Sequence, residues 1–148
     1  MLMGALRRSP EKSPAKILKS LNRVLVGSES FTTCQAAWFG ADGELVIANA
    51  GHLPPYLNSQ EVLLPGGLPL GVLADIAYEE VRLYLHPGDR MLLMSDGVVE
   101  ARQPSGELFG FERVHNLSNQ SAFYIADAAK EFGQEDDITV LGIQFATT

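Results

Sequence analysis

The sequence predicts an α+β domain, with mainly antiparallel sheet flanked by helices. Three observations lead there. Apolar residues recur at helical spacing over 13–27 and then at period two from Phe31 onward, with Gly- and Pro-rich breaks between short runs. Two further helical stretches and one last apolar run follow in the C-terminal third. Strands and helices are thus segregated rather than alternating, which argues against a doubly wound parallel fold.

The elements are justified in chain order. Ile17, Leu18, Leu21, Val24 and Leu25 lie on one face of a helix. Ser13 is a good N-cap, Pro14 suits the first helical position and Gly27 suits the residue after the end. Leu2, Met3, Ala5 and Leu6 read as helix without a start signal. From Phe31, Thr32, Cys34, Ala36 and Trp38 face one way along a strand, with Cys34 expected in the core and Trp38 in the core or packed on the sheet face. Asp42-Gly43 predicts a tight hairpin turn in which both residues tolerate positive φ, and residues 44–50 return as the partner strand. Tyr56-Leu57 and Val62-Leu63-Leu64 read as short strands about a polar turn. Residues 78–85 alternate, with Val81, Leu83 and Leu85 on one face. Met91-Leu92-Leu93-Met94 is a continuous apolar run, expected to be a strand covered on both faces. Residues 110–117 and 121–131 predict helices, and residues 138–145 a closing strand.

Composition narrows the function. Apolar residues make up 46% of the 148, enough for a core and too many for a disordered chain. The formal net charge of −7 argues against a nucleic-acid-binding surface spread over the molecule. Residues 1–30 carry a net +4 and the rest −11; the basic residues sit at helical spacing, which favours a solvated lysine-rich face over a binding arm. A single cysteine forms no intrachain disulfide, and no stretch of eighteen apolar residues or secretion signal is present. The expectation is a soluble cytoplasmic protein that engages neither nucleic acid nor membrane.

The common catalytic patterns of phosphate loops, nucleophile elbows and zinc proteases are missing. Two carboxylate clusters remain. Asp96 follows the apolar strand, and Asp136 and Asp137 precede the final one. If those strands run antiparallel, Asp96 and Asp136 converge at one sheet edge. Converging carboxylates repel and so require a cation or a shared proton. Oxygen-only ligands suit Mg²⁺ or Mn²⁺. The competing reading is an ordinary Asp-Gly turn and a polar strand entry.

Asn49-Ala50-Gly51-His52-Leu53-Pro54-Pro55 resembles the N-A-G-H-x-P-P signature of bacterial metal-dependent (PPM-type) protein serine/threonine phosphatases, in the branch of stage II sporulation protein E. Leu68-Pro69-Leu70-Gly71, Pro87-Gly88-Asp89, Ser95-Asp96-Gly97, Phe109-Gly110 and Asp136-Asp137-Ile138-Thr139 follow in the family's order, and Phe31-Thr32-Thr33 matches its opening. The resemblance implies a β-sandwich of antiparallel sheets between helices, two Mn²⁺ or Mg²⁺ ions, and hydrolysis of phosphoserine or phosphothreonine without a covalent enzyme intermediate. It implies Asp96 and Asp136 as metal ligands. Gly97 allows a close turn beside the metal, and Glu100 lies near the acidic rim as a candidate ligand of an extra ion. Asp137 is set aside because neighbouring strand residues face opposite ways. For His52, a phosphate or metal contact competes with a hydrogen bond that fixes the loop before Pro54-Pro55; the second is favoured.

The family's upstream G-D-x-S-G-x-G segment, whose Asp bridges the metals, is not in this sequence. Residues 1–148 are therefore expected to be the C-terminal portion of a single phosphatase domain, its N-terminal part missing from this chain. Two functions follow. One is a phosphatase acting on a phosphorylated regulatory protein, of the kind that antagonises anti-sigma factors. The other is a non-catalytic, truncated phosphatase-like interaction module. An uncovered sheet edge further predicts a homodimer.

Overall fold

The computed structural model describes residues 12–28 and 30–146. In order these form α1 (Pro14–Leu25), β1 (Cys34–Phe39), β2 (Glu44–Ala50), β3 (Tyr56–Leu57), β4 (Gln60–Glu61), β5 (Glu80–Tyr84), β6 (Arg90–Met94), α2 (Asp96–Val99), α3 (Gly110–Leu117), α4 (Ala122–Gly133) and β7 (Val140–Gln144). The chain divides into two compact units. One runs up to His52 and includes Leu63–His86; the other comprises Leu53–Val62 and the chain from Pro87. The helix expected over Leu2 to Leu6 lies outside the described residues.

In the first unit, α1 begins where its cap predicts. The Ser13 side chain accepts from the Lys16 amide at 3.3 Å. The Ser13 hydroxyl also donates to Glu80 Oε1 at 2.5 Å, and the Ala15 amide donates to the same oxygen at 3.1 Å. A carboxylate from β5 thus sits at the helix N-terminus, where free amides and the helix dipole favour negative charge. The sheet has the antiparallel order β1-β2-β5. Its central strand buries Leu45, Val46, Ile47 and Ala48 in succession. Leu18, Cys34, Ala36, Ala48, Ala50, Leu70 and Tyr78 form the unit's apolar core.

The buried stripe of α1 differs from the apolar one. Val24 is 80% exposed and Leu21 also faces solvent, whereas Asn22 is 1% exposed beside Pro14 and Leu18. Asn22 is buried because its amide is satisfied on both sides. It donates to Leu73 O at 3.0 Å and accepts from Gly71 N at 2.8 Å, so the helix holds the Leu68-Pro69-Leu70-Gly71 loop by a polar clasp. The β1–β2 connection also differs. Gly43 has φ of +90° and Asp42 does not share a positive φ; the loop closes instead with Gly40 N donating to Glu44 O.

The second unit holds the sheet β4-β3-β6-β7, antiparallel throughout. Its core gathers Tyr56, Leu92, Met94, Val98, Val99, Ala101, Phe109, Val114, Ile125 and Ala129. The expected strand at Val62-Leu63-Leu64 is not formed. Asn58 and Ser59 both take positive φ, 48° and 67°, and reverse the chain directly after Leu57. Pairing therefore falls on the polar residues Gln60 and Glu61, and Leu63 is 85% exposed. Asn58 also caps the neighbouring strand, accepting from Arg90 N at 3.0 Å and donating to Asp89 Oδ1 at 2.8 Å.

Burial of Cys34 raises its thiol pKa above the ordinary value. The folded state then favours the neutral thiol, so this contribution is complete below about pH 8.5, the unfolded value, and is lost as pH rises toward the folded one. We expect stability in urea to fall as pH rises above about 8.5, the ordinary thiol value. Cys34→Ala should flatten that slope although it lowers stability at neutral pH; a slope unchanged by the substitution would assign the alkaline loss to other groups.

Candidate functional site

The site candidates of the second unit arise at the end of one strand pair. β6 and β7 are antiparallel with Met94 opposite Val140, so the end of β6 lies beside the entry to β7. The pairing continues one step past the strands. Ser95 N donates to Thr139 O at 2.9 Å. The Ser95 hydroxyl accepts from Thr139 N at 2.9 Å and donates to Asp137 O at 3.0 Å. Ser95 is 1% exposed and its two side-chain bonds are part-buried, so a hydroxyl left there without partners would be costly.

Immediately afterwards the chain turns into α2, a short helix not foreseen from the sequence, where the competing reading had an ordinary Asp-Gly turn. Val98 and Val99 drive it, since both are buried in the core and a single helical turn points them inward. Gly97 sits where that turn meets the other segment. A Cβ built there would lie 2.5 Å from Asp137 O, 3.1 Å from Asp137 C and 3.6 Å from Asp136 C. Only a residue without a side chain permits this approach of two backbones.

The consequence is local and chemical. The backbones that carry Asp96 and Asp136 are fastened together at one sheet end. Asp96 is half-buried, and its Oδ1 accepts from the neighbouring Gly97 amide at 3.1 Å. Asp136 is exposed, and its Oδ1 accepts the neighbouring Asp137 amide at 2.7 Å. Among the described residues neither carboxylate has a Lys or Arg partner. Oxygen donors of this kind, on fixed backbone and with unused lone pairs, suit a hard divalent cation. Two donors make only part of a site: among the described residues no group of three or more His, Cys, Asp or Glu is arranged to hold a metal.

The other candidates lie as follows. Asp137 is exposed. It precedes β7 rather than lying in it, so strand alternation does not separate it from Asp136; what distinguishes it is that its carbonyl is held by Ser95. Glu100 is exposed at the C-cap of α2, its amide donating to Asp96 O at 2.9 Å. His52 belongs to the first unit and is buried. Its amide donates to Asn49 Oδ1 at 3.0 Å, its carbonyl accepts from Asn49 Nδ2 at 2.9 Å, and its Nδ1 lies 3.4 Å from Thr33 Oγ1. The Asn49 side chain thus closes the turn between Asn49 and His52. Ser95 was not singled out from the sequence, where only the Asp and Gly of its tripeptide carry a chemical signal.

Gly97→Ala should destabilise the chain by about 1–3 kcal/mol, because the added methyl meets a backbone carbonyl that cannot rotate away. Gly66, whose Cβ position is open and whose φ is not in the left-handed range, provides the control: Gly66→Ala should be neutral or slightly stabilising. Urea unfolding of both variants checks this, and equal stabilities would deny the close contact at Gly97.

Comparison with known proteins agrees with this architecture. The chain is 35% identical over 119 residues to the phosphoserine phosphatase RsbU of Bacillus subtilis, an overlap of 73% of this chain but 36% of RsbU. It thus spans about a third of that relative's length. Among solved structures it is similar to the SiaA-PP2C domain of Pseudomonas aeruginosa, with TM-score 0.74, 22% identity, and coverage of 90% of this chain and 61% of that one. It is also similar to the Mn-presoaked phosphatase domain of the cell fate determinant SpoIIE from Bacillus subtilis, with TM-score 0.61, 20% identity, and coverage of 96% and 77%. The fold is therefore that of PP2C phosphatase domains. The family model for stage II sporulation protein E (SpoIIE) matches residues 1–146, and the chain belongs to that family.

Proposed function

We propose that residues 1–148 form the C-terminal portion of a metal-dependent protein serine/threonine phosphatase domain that removes phosphate from phosphoserine or phosphothreonine on a regulatory protein. The observation that carries this reading is the placement of Asp96 and Asp136 on two backbones joined at one sheet end. The phosphoserine phosphatase RsbU, similar over 73% of this chain, supports the same chemistry.

Asp96 and Asp136 would hold Mn²⁺ or Mg²⁺ through carboxylate oxygen. Two such ions, when bound, supply charge that polarises the phosphoryl group and make an activated water available at neutral pH. The residues of this chain do the remaining work. Gly97 gives the two backbones room to meet, and Ser95 ties them. Asp137 and Glu100 add negative charge at the rim, and His52 serves its own loop through Thr33 and Asn49. A further carboxylate, which the family resemblance implies in a G-D-x-S-G-x-G segment, is not among these 148 residues.

The regulatory substrate fits the class of anti-sigma-factor antagonists that the family resemblance implies, and the setting is the cytoplasm. Among the described residues no helix is long and apolar enough to cross a membrane. Pairing of two chains along an open sheet edge would give a homodimer. A second reading, a non-catalytic interaction module, is favoured by one observation: the described residues contain no group of three or more metal-binding side chains.

With Mn²⁺ and an aryl phosphate such as p-nitrophenyl phosphate, the 148-residue chain should turn over weakly or not at all. The same chain preceded by a G-D-x-S-G-x-G segment should gain activity that Asp96→Asn and Asp136→Asn each abolish. Full turnover by the 148 residues would refute the partial site. A completed chain that stays inactive would favour the interaction module.

A further inference from the structure

We infer that Ser95 is a positioning residue for the metal site: its hydroxyl sets how closely the Asp96 and Asp136 segments approach, and so sets cation affinity. This rests on the reading of Asp96 and Asp136 as metal ligands.

The argument starts from what the hydroxyl does not do. Ser95 is the N-cap of α2, and a capping Ser normally accepts a hydrogen bond from an amide of its own first turn. Here the side chain makes no capping bond; Val98 N donates to the Ser95 carbonyl instead. The hydroxyl is turned across to a segment more than forty residues away. There it accepts from Thr139 N and donates to Asp137 O, using its hydrogen and a lone pair on two backbone groups that bracket Ile138. Both ends of the bracket matter. Asp137 is bonded to Asp136 in sequence, and its amide is held by Asp136 Oδ1 at 2.7 Å, so fixing Asp137 fixes the neighbouring carboxylate. Ser95 is itself joined to Asp96, whose Oδ1 is held by Gly97 N at 3.1 Å. One buried hydroxyl therefore stands one residue before one carboxylate and binds the carbonyl one residue after the other.

Without a tie across the gap, the entry to β7 is free to move away from α2 and to carry Asp136 with it. Gly97 permits the approach but exerts no pull. The Ser95 hydroxyl, together with the Ser95 N to Thr139 O bond, supplies the pull. A residue that orients metal ligands in this manner changes affinity by about 10- to 100-fold when it is lost.

The test is Mn²⁺ binding to the 148-residue chain, followed by the electron paramagnetic resonance signal of free Mn²⁺, alongside thermal unfolding without metal. Ser95→Ala should remain folded and weaken Mn²⁺ binding about tenfold. Ser95→Thr keeps the hydroxyl and should restore most of the affinity. Ser95→Cys keeps the volume with longer, weaker hydrogen bonds and should fall between them, which preserves the test should Ser95→Ala fold poorly. Wild-type affinity in Ser95→Ala or Ser95→Cys, or a loss in Ser95→Thr as deep as in Ser95→Ala, overturns the inference. Asp96→Asn separates the two claims. If it abolishes Mn²⁺ binding while Ser95→Ala does not weaken it, only the role of Ser95 falls. If Asp96→Asn changes nothing, or if Mn²⁺ binds neither this chain nor the chain preceded by a G-D-x-S-G-x-G segment, the metal reading and the inference fall together.

Discussion

The close approach of two backbones, from Ser95 to Gly97 on one side and from Asp136 to Thr139 on the other, is the constraint on which the second unit depends. It continues the β6–β7 pairing past the last strand residues and directs the chain into α2. It also lets Val98 and Val99 enter the core with Tyr56, Phe109 and Ile125. A side chain at position 97 would push the segments apart; an apolar residue at 95 would remove the hydroxyl that pairs the Thr139 amide and the Asp137 carbonyl. The sheet end, the short helix and the placement of both carboxylates thus share one local cause.

That cause also brings two acidic residues onto joined segments, and the proposed function rests on it. Most of the chain's excess negative charge lies beyond residue 30. The fold sets Asp96 and Asp136 on joined segments without a basic partner among the described residues. Under the proposed function a divalent cation would be the compensating partner that the described residues do not provide there. The acids of the first unit show the contrast. Glu80 lies at a helix N-terminus and Glu44 pairs with Arg82 at 2.6 Å, so each already has a compensating partner.

How far the sequence revealed this depends on whether the signal was local. Ser13-Pro14 and Gly27 located α1, because capping and positive φ are decided by residue chemistry at the site. The Met91–Met94 run marked β6, because a strand covered on both faces leaves a continuous apolar segment. The buried stripe of α1 was misread, since Asn22 is made burial-competent by Leu73 and Gly71, about fifty residues away. β4 was hidden because a turn through Asn58 and Ser59 needs no glycine and leaves polar residues to pair. α2 was hidden by its length of four residues and by a glycine in its first turn. At the site, the order of the motifs pointed to Asp96 and Asp136. Ser95 stood in one of those motifs but had no legible role, because its partners are backbone atoms and backbone leaves no mark in a sequence.

The central claim is that Asp96 and Asp136 act on the same cation. A double-mutant cycle on Mn²⁺ affinity, with Asp96→Asn, Asp136→Asn and the pair combined, tests it most directly. Ligands of a shared ion should be strongly non-additive: each single substitution removes most of the affinity, and the double loses little more. Two losses that simply add, or a single substitution that leaves Mn²⁺ binding intact, would show that the carboxylates serve separate ends and would contradict the account.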